Sequence, residues 1–292
     1  MEDSTDQPAA PGPERRTVVV TGASDGIGAA AARQLARRGH DVVVVGRSPE
    51  KTAGVARDLG TRHFTADFAR FDDVRRLASE LTEAVPRIDV LVNNAGGIFD
   101  RFERTPDGFE RTLQVNHLAP FLLTHLLLEP LLAGGGTVVN TSSVAARIGR
   151  LELGDLDNER KWSPQRAYGD SKLANVLFTR GLDRRFRDRG LAAAAFHPGG
   201  VATNFASSTT TPLRFLYRTR LGRRLMISPD RGAETLVWLA QGTPGRDWAS
   251  GGYYEKKKPA RTNPRAGDDA LVEAFWTRSA ELVGLSPAPD AG

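Results

Sequence analysis

The sequence predicts an α/β fold, a single doubly wound domain around a parallel sheet of roughly seven strands. Three observations predict it. Strand-like and helix-like segments alternate from Thr17 onward, the pattern of repeated β-α-β units. The first strand-like run, Val18–Val20, is apolar throughout, as expected of a strand covered on both faces. No linker divides the chain, and no repeat of solenoid period appears. The elements follow in order. An alanine-rich helix runs to about Arg38 and is closed by Gly39. Val42–Val45 is the second strand, residues 50–59 are helical, and Arg62–Ala66 is the third strand. A helix rich in Leu, Arg and Glu starts at Asp72-Asp73 and ends near Pro86, before the strand Ile88–Val92. Leu113–Leu132 is apolar enough for one long buried helix. Thr137–Asn140 is the fifth strand, residues 164–188 are helical, and Leu191–Phe196 is the sixth strand. Pro229–Gln241 is helical, Gly251–Glu255 forms a last strand, and Asp268–Val283 is a helix with an acidic start and Gly284 behind it.

Composition narrows the function. The chain has 292 residues, 40 % hydrophobic and 26 % charged, the balance of a water-soluble globular protein. The absence of cysteine excludes disulfides, thiolate metal sites, Fe–S clusters and cysteine nucleophiles. A net charge of +5 spread over this length, without zinc-finger or basic-zipper spacing, gives no reason to expect a nucleic-acid partner. Apolar runs fall well short of the ~18 residues of a transmembrane helix, and the N-terminus lacks the apolar core of a secretory signal. Residues 1–15 are read as a disordered arm, 16–285 as the domain and 286–292 as a flexible tail, in a protein placed by default in the cytoplasm. No metal site is expected, since His-Glu-x-x-His and similar pairs are absent. A nucleophile elbow is missing around Ser143, and the five histidines are read as core or strand-end residues.

Gly22, Gly26 and Gly28 follow the first strand and open the first helix. Glycines there let the backbone turn tightly and approach a pyrophosphate at the positive end of the helix. The alternative is an ordinary strand–helix turn, because the spacing is Gly-x-x-x-Gly-x-Gly. The second strand ends Val45-Gly46-Arg47-Ser48, with a cation and no carboxylate. That favours a 2′-phosphate over a free ribose hydroxyl, hence NADP(H) in preference to NAD(H). Arg47 is otherwise a solvated strand-end residue. Asp67, after the third strand, is placed to bond an adenine amino group or to cap a turn.

Tyr168 and Lys172 stand four apart in a helical stretch and share a face. An ammonium beside a phenol favours the phenolate, which suits proton exchange with a carbonyl or alcohol oxygen. Ser142 and Ser143 end the fifth strand, at the carboxyl edge where such sheets bind ligands, or cap the next turn. Asn116 is a polar residue in an apolar helix, otherwise a satisfied core asparagine.

Taken together these residues resemble the short-chain dehydrogenases/reductases, a Rossmann-fold family. Thr21-Gly22-Ala23-Ser24-Asp25-Gly26-Ile27-Gly28 is similar to the family's cofactor loop, and Asn93-Asn94-Ala95-Gly96 to its fourth-strand motif. Asn116, Ser143, Tyr168 and Lys172 match its four catalytic positions in order, and His197-Pro198-Gly199-Gly200-Val201-Ala202-Thr203 its segment after the sixth strand. Finer stretches, among them Ala167–Thr179 and Ser228–Thr235, resemble the retinol-dehydrogenase-like branch, which includes the WW-domain-containing oxidoreductases. The membrane anchor and the WW module of those relatives are not seen. The resemblance implies that Tyr168 is the general acid or base and that Lys172 tunes it and binds the nicotinamide ribose. It implies that Ser143 polarises the substrate oxygen and that Asn116 anchors a relay water. Gly22, Ser24, Asp25, Gly26, Ile27, Gly28, Arg47, Asp67, Asn94, Gly96, Val201 and Thr203, with Tyr168 and Lys172, would hold the cofactor.

The expected reaction is hydride transfer between NADP(H) and the carbonyl/alcohol pair of a bulky lipophilic small molecule, by a homo-oligomer with no transmembrane segment. A non-catalytic NADP(H) sensor and a sugar-nucleotide epimerase are the alternatives. Apolar residues at 213, 217, 221 and 225, flanked by arginines, form one helical stripe in residues 212–226. That stretch is either a substrate lid or a solvated surface helix. Lys256-Lys257-Lys258 is read as a solvated turn.

Overall fold

The computed structural model describes residues 15–199 and 227–285. The lid stretch 212–226, Val201, Thr203, nearly all of the N-terminal arm and the C-terminal tail lie outside them. One sheet runs through the described residues in the order β3-β2-β1-β4-β5-β6-β7-β8. Its strands are β1 (Thr17–Thr21), β2 (Asp41–Gly46), β3 (Arg62–Thr65), β4 (Val90–Asn93), β5 (Thr137–Thr141), β6 (Ala192–His197), β7 (Gly252–Glu255) and β8 (Lys258–Pro259). The first seven pair in parallel; β8 turns back against β7, with Glu255 opposite Lys258. The count is therefore eight where about seven is predicted. The lysine run supplies both the turn and the extra strand, because Lys256 and Lys257 take positive φ and Lys258 returns to the edge. Chain reversal passes from β1 to β4 at the middle of the sheet, where doubly wound folds open a crevice at the carboxyl ends of their strands.

The pleat sorts side chains to two cores. Val19, Val43 and Val45 face one, and Val18, Val20, Val42 and Val44 the other, so both faces are covered. On the second face lie α1 (Gly26–Arg37), α2 (Pro49–Leu59) and α8 (Pro229–Gln241). Ala29–Ala32 are small enough for α1 to sit directly on α8. The first face carries α3 (Phe71–Ala84), α5 (Ala119–Leu126), α7 (Pro164–Phe186) and α9 (Asp269–Leu282). Gly181 lets α7 and α9 close together, since a Cβ there would stand 2.5 Å from Trp276. Side chains cap most helix starts: Asp25, Ser48, Ser163, Ser228 and Asp268 accept first-turn amides.

The predicted helix Leu113–Leu132 is not continuous. It divides into a single α-turn, α4 (Arg111–Leu113), a π-helical stretch Gln114–Leu118, α5 and α6 (Leu128–Ala133). Two prolines are the cause. Pro120 has no N–H to return to the Asn116 carbonyl, and the Ala119 amide reaches back five residues to Gln114 instead. Pro130 likewise denies Leu126 its partner, and the helix resets at Leu127.

Candidate active site

Gly22 and Gly26 adopt φ of 65° and 57°, the left-handed region in which glycine carries no Cβ penalty. Asp25 fixes the entry to α1 by accepting from the Gly26 amide at 2.7 Å. At Gly28 a Cβ would stand 2.3 Å from the Gly22 carbonyl oxygen and 2.6 Å from Asn94 Nδ2. The end of β4 is tied to the same loop. Asn94 Nδ2 donates to the Thr21 carbonyl at 3.0 Å, and the Asn94 amide donates to Thr21 Oγ1 at 3.0 Å. The loop, Ser24, Ile27, Asn94 and Gly96 line one side of a cleft of about 1020 Å³, at the upper end of ordinary ligand pockets.

At the end of β2, space excludes a side chain on residue 46. A Cβ on Gly46 would meet Thr52 Oγ1 at 2.3 Å and Ser24 Cβ at 2.8 Å. Arg47 follows, exposed at the cleft mouth. Asp67 also lines the cleft, while its Oδ1 accepts from the Ala69 amide at 3.0 Å, so it holds a turn as well.

Across the cleft, α7 carries Tyr168 half-buried and Lys172 fully buried. Lys172 Nζ is 5.5 Å from the centroid of the Tyr168 ring and donates to the Thr141 carbonyl at 3.1 Å. Burial pulls this ammonium down from the ordinary 10.5 to about 8. Gly96 leaves room for it, as a Cβ there would stand 3.4 Å from Nζ. Asn116 is fully buried in the π-helical stretch. Its Oδ1 accepts from the Gly97 amide at 2.8 Å, while its Nδ2 donates to the Gly97 carbonyl at 2.9 Å and to Ser171 Oγ at 3.0 Å. Ser143 lies two residues past β5 and caps the following 3₁₀ turn, its Oγ accepting from Ala145 at 3.2 Å. Asn116, Ser143, Tyr168 and Lys172 thus come to one end of the sheet from three separate stretches of chain. Ser142, the other serine, also lines the cleft but is buried, and its Oγ donates to the Lys172 carbonyl at 2.8 Å.

Three contributors escape the sequence reading. Asn175, one turn beyond Lys172, donates to the same Thr141 carbonyl at 3.0 Å. Ser171 links Asn116 to the Tyr168 carbonyl, to which it donates at 2.8 Å. Their signal is helical spacing: Ser171 and Asn175 continue the face that carries Tyr168 and Lys172. The third is an apolar rim. Val144 and Ile148 are 46 % and 71 % exposed at the cleft, directly after Ser143. Phe99 stands nearby, under the Arg111 guanidinium 4.3 Å from its ring centroid. His197 ends β6 at the cleft wall, and burial lowers its basicity. Among the described residues no helix is long and apolar enough to cross a membrane.

The chain as a whole is similar to known proteins. The family described as short chain dehydrogenase matches residues 16–213. A Streptomyces sp. (strain C5) protein, provisionally named daunorubicin C-13 ketoreductase DnrU, is 42 % identical over 92 % of this chain and 93 % of its own. Human retinol dehydrogenase 13 is 36 % identical over 92 % of this chain and 85 % of its own. Among solved structures, a short chain dehydrogenase from Escherichia coli CFT073 complexed with NADPH superposes with a TM-score of 0.62. It is 30 % identical, and the match covers 79 % of this chain and 92 % of that one.

Proposed function

The chain belongs to the short-chain dehydrogenase family, in its retinol-dehydrogenase-like branch, and from that premise we propose an NADP(H)-dependent oxidoreductase that interconverts the carbonyl and alcohol of a bulky lipophilic substrate. The observation that carries the reading is the buried Lys172 ammonium beside Tyr168 in a cleft whose far wall is the glycine loop. The residues present fit a 2′-phosphorylated dinucleotide. Gly22, Gly26 and Gly96 line the cleft with bare backbone, the start of α1 opens on it, and Gly46 and Arg47 offer the ribose a cation and no carboxylate. The relative solved with NADPH supports the same choice.

When bound, the nicotinamide supplies or takes the hydride. The chain controls the proton. Tyr168 donates it to the substrate oxygen during reduction and takes it back during oxidation. Lys172 stabilises the negative charge left on the tyrosine oxygen, and its own position is held by the Thr141 carbonyl. Ser143 accepts from Ala145 and keeps its hydroxyl hydrogen to hold the substrate oxygen. The Asn116 amide group is committed to Gly97 and Ser171. A water-anchoring role therefore falls to the Asn116 carbonyl, from which Pro120 removes the usual helical donor.

Val144, Ile148 and Phe99 support a lipophilic substrate, since exposed aliphatic side chains in a cleft gain from apolar contact. The ketoreductase relative supports a ketone. The test is NADPH oxidation followed across small and polycyclic ketones and aldehydes, with NADH alongside. Turnover of polycyclic ketones with NADPH is the expected result. Failure of every carbonyl compound while NADPH still binds would leave a sensor.

A further inference from the structure

Arg47 is not the only cation at this mouth of the cleft. Lys51 lies on the first turn of α2 and lines the same cleft. Its Nζ is 3.8 Å from Asp25 Oδ2, and the two side chains are 63 % and 54 % exposed. This pair joins the glycine loop to α2 across the end of β2. Thr52 brings α2 there: it is fully buried, its Oγ1 donates to the Ser48 carbonyl at 2.6 Å, and it fills the slot beside Gly46. Arg47 and Lys51 therefore stand on a rigid corner, on either side of the helix-capping Ser48. Glu50, the acid on the first turn of α2, accepts from Ser48 Oγ at 3.1 Å.

A cation in the first turn of a helix opposes the helix dipole, so Lys51 gains nothing locally from its position. Its ion pair with Asp25 is long and solvated, a kind worth little by itself. A doubly charged phosphate is a stronger partner than one exposed carboxylate. Resting on the NADP(H) reading above, we infer that Lys51 is a second cation for the cofactor's 2′-phosphate, with Asp25 as its placeholder partner before that phosphate arrives. Asp25 then has two opposed effects. It orders the glycine loop by capping Gly26, and it competes with the phosphate for Lys51. Preference for the phosphorylated cofactor becomes a balance between one carboxylate and one phosphate over a single ammonium.

The test measures binding by calorimetry, without turnover, using 2′,5′-ADP and 5′-AMP, which differ only in the 2′-phosphate. Wild type binds 2′,5′-ADP more tightly. Lys51→Gln weakens 2′,5′-ADP by about tenfold and leaves 5′-AMP unchanged, while Lys51→Arg retains most of the preference. Asp25→Asn, which still offers an oxygen to Gly26, tightens 2′,5′-ADP by about threefold, and does so only when Lys51 is present. Because the site is solvated, the Lys51 effect shrinks as salt is raised. Full retention of the preference in Lys51→Gln, or equal weakening of both ligands, overturns the role of Lys51 and leaves the cofactor reading standing. A wild type that binds the two ligands equally overturns both.

Discussion

Lys172 places its ammonium 5.5 Å from the centre of the Tyr168 ring while its own side chain is fully buried, so the charge that assists the phenol is held out of water. Water would screen that charge; the interior does not. The cost falls on stability. With the folded lysine near 8 and its ordinary value at 10.5, the unfolded chain binds the extra proton between those two pH values. Stability contributed by this site therefore rises from pH 8 to 10.5, and its burial penalty is present in full below 8.

Replacing Lys172 by Met should separate the two roles. We expect turnover to fall by at least ~100-fold, the scale of a lost contribution to proton transfer. The melting temperature at pH 7 should rise, and the gain in stability between pH 8 and 10.5 should disappear. Thermal melts across pH check this, and an unchanged alkaline slope would refute it. Tyr168→Phe should lose turnover to a similar extent while NADPH titrates normally by fluorescence.

Acid lability is expected from two histidines on the first face of the sheet, His117 fully buried and His125 partly so. Burial pushes His117 down to about 3 and His125 down to about 4, from an ordinary 6.5. Both are neutral in the fold, so the unfolded chain takes up protons first, and stability is lost as pH falls from 6.5 toward those values. His125→Leu should remove one of the two contributions and recover on the order of 2 kcal/mol at pH 4.5. Urea melts at pH 7 and 4.5 measure it; an equal loss in variant and wild type would count against the assignment.

The glycine loop should tolerate no methyl group at its tightest point. Gly28→Ala would drive a Cβ against the Gly22 carbonyl, which is backbone, and against Asn94 Nδ2, which is held by the Thr21 carbonyl. The expected result is a loss of several kcal/mol, about 2–4, together with loss of NADPH binding. Gly46→Asp should behave similarly: it should destabilise the fold rather than convert preference to NADH, because Thr52 and Ser24 occupy the space. Paired melts and cofactor titrations decide both.

The apolar rim should act on the substrate alone. Ile148→Asp is expected to raise KM for a polycyclic ketone by about tenfold or more through lost apolar contact. The Kd for NADPH should stay within twofold. Equal KM values for variant and wild type over a ketone panel would exclude Ile148 from substrate contact.

Most of the sheet was legible because buried parallel strands are written as uninterrupted apolar runs, Val42–Val45 and Val90–Val92 among them. Local spacing likewise placed Tyr168 and Lys172 on one face of α7. Two kinds of feature stayed hidden. The breaks at Gln114–Leu118 and at Leu127 depend on Pro120 and Pro130 respectively, inside an apolar run long enough to mask them. The contacts of Asn175 and Thr141 are tertiary. The Thr141 carbonyl lies one residue past the last β4–β5 pair, Asn93 with Asn140, so side chains of α7 can use it. No local pattern states that. Asp67 shows the limit of spacing from another side, since a turn and a ligand contact call for the same carboxylate at the same place.

The last described helix has a consequence for synthesis. Phe275 and Trp276 seal the aromatic layer over α7, and Gly181 is shaped to receive the indole. That half of the interior stays unsealed on the ribosome until translation has passed Leu282, long after the cofactor loop has emerged. Nascent chains should therefore carry a sticky, chaperone-binding flank until this last helix docks.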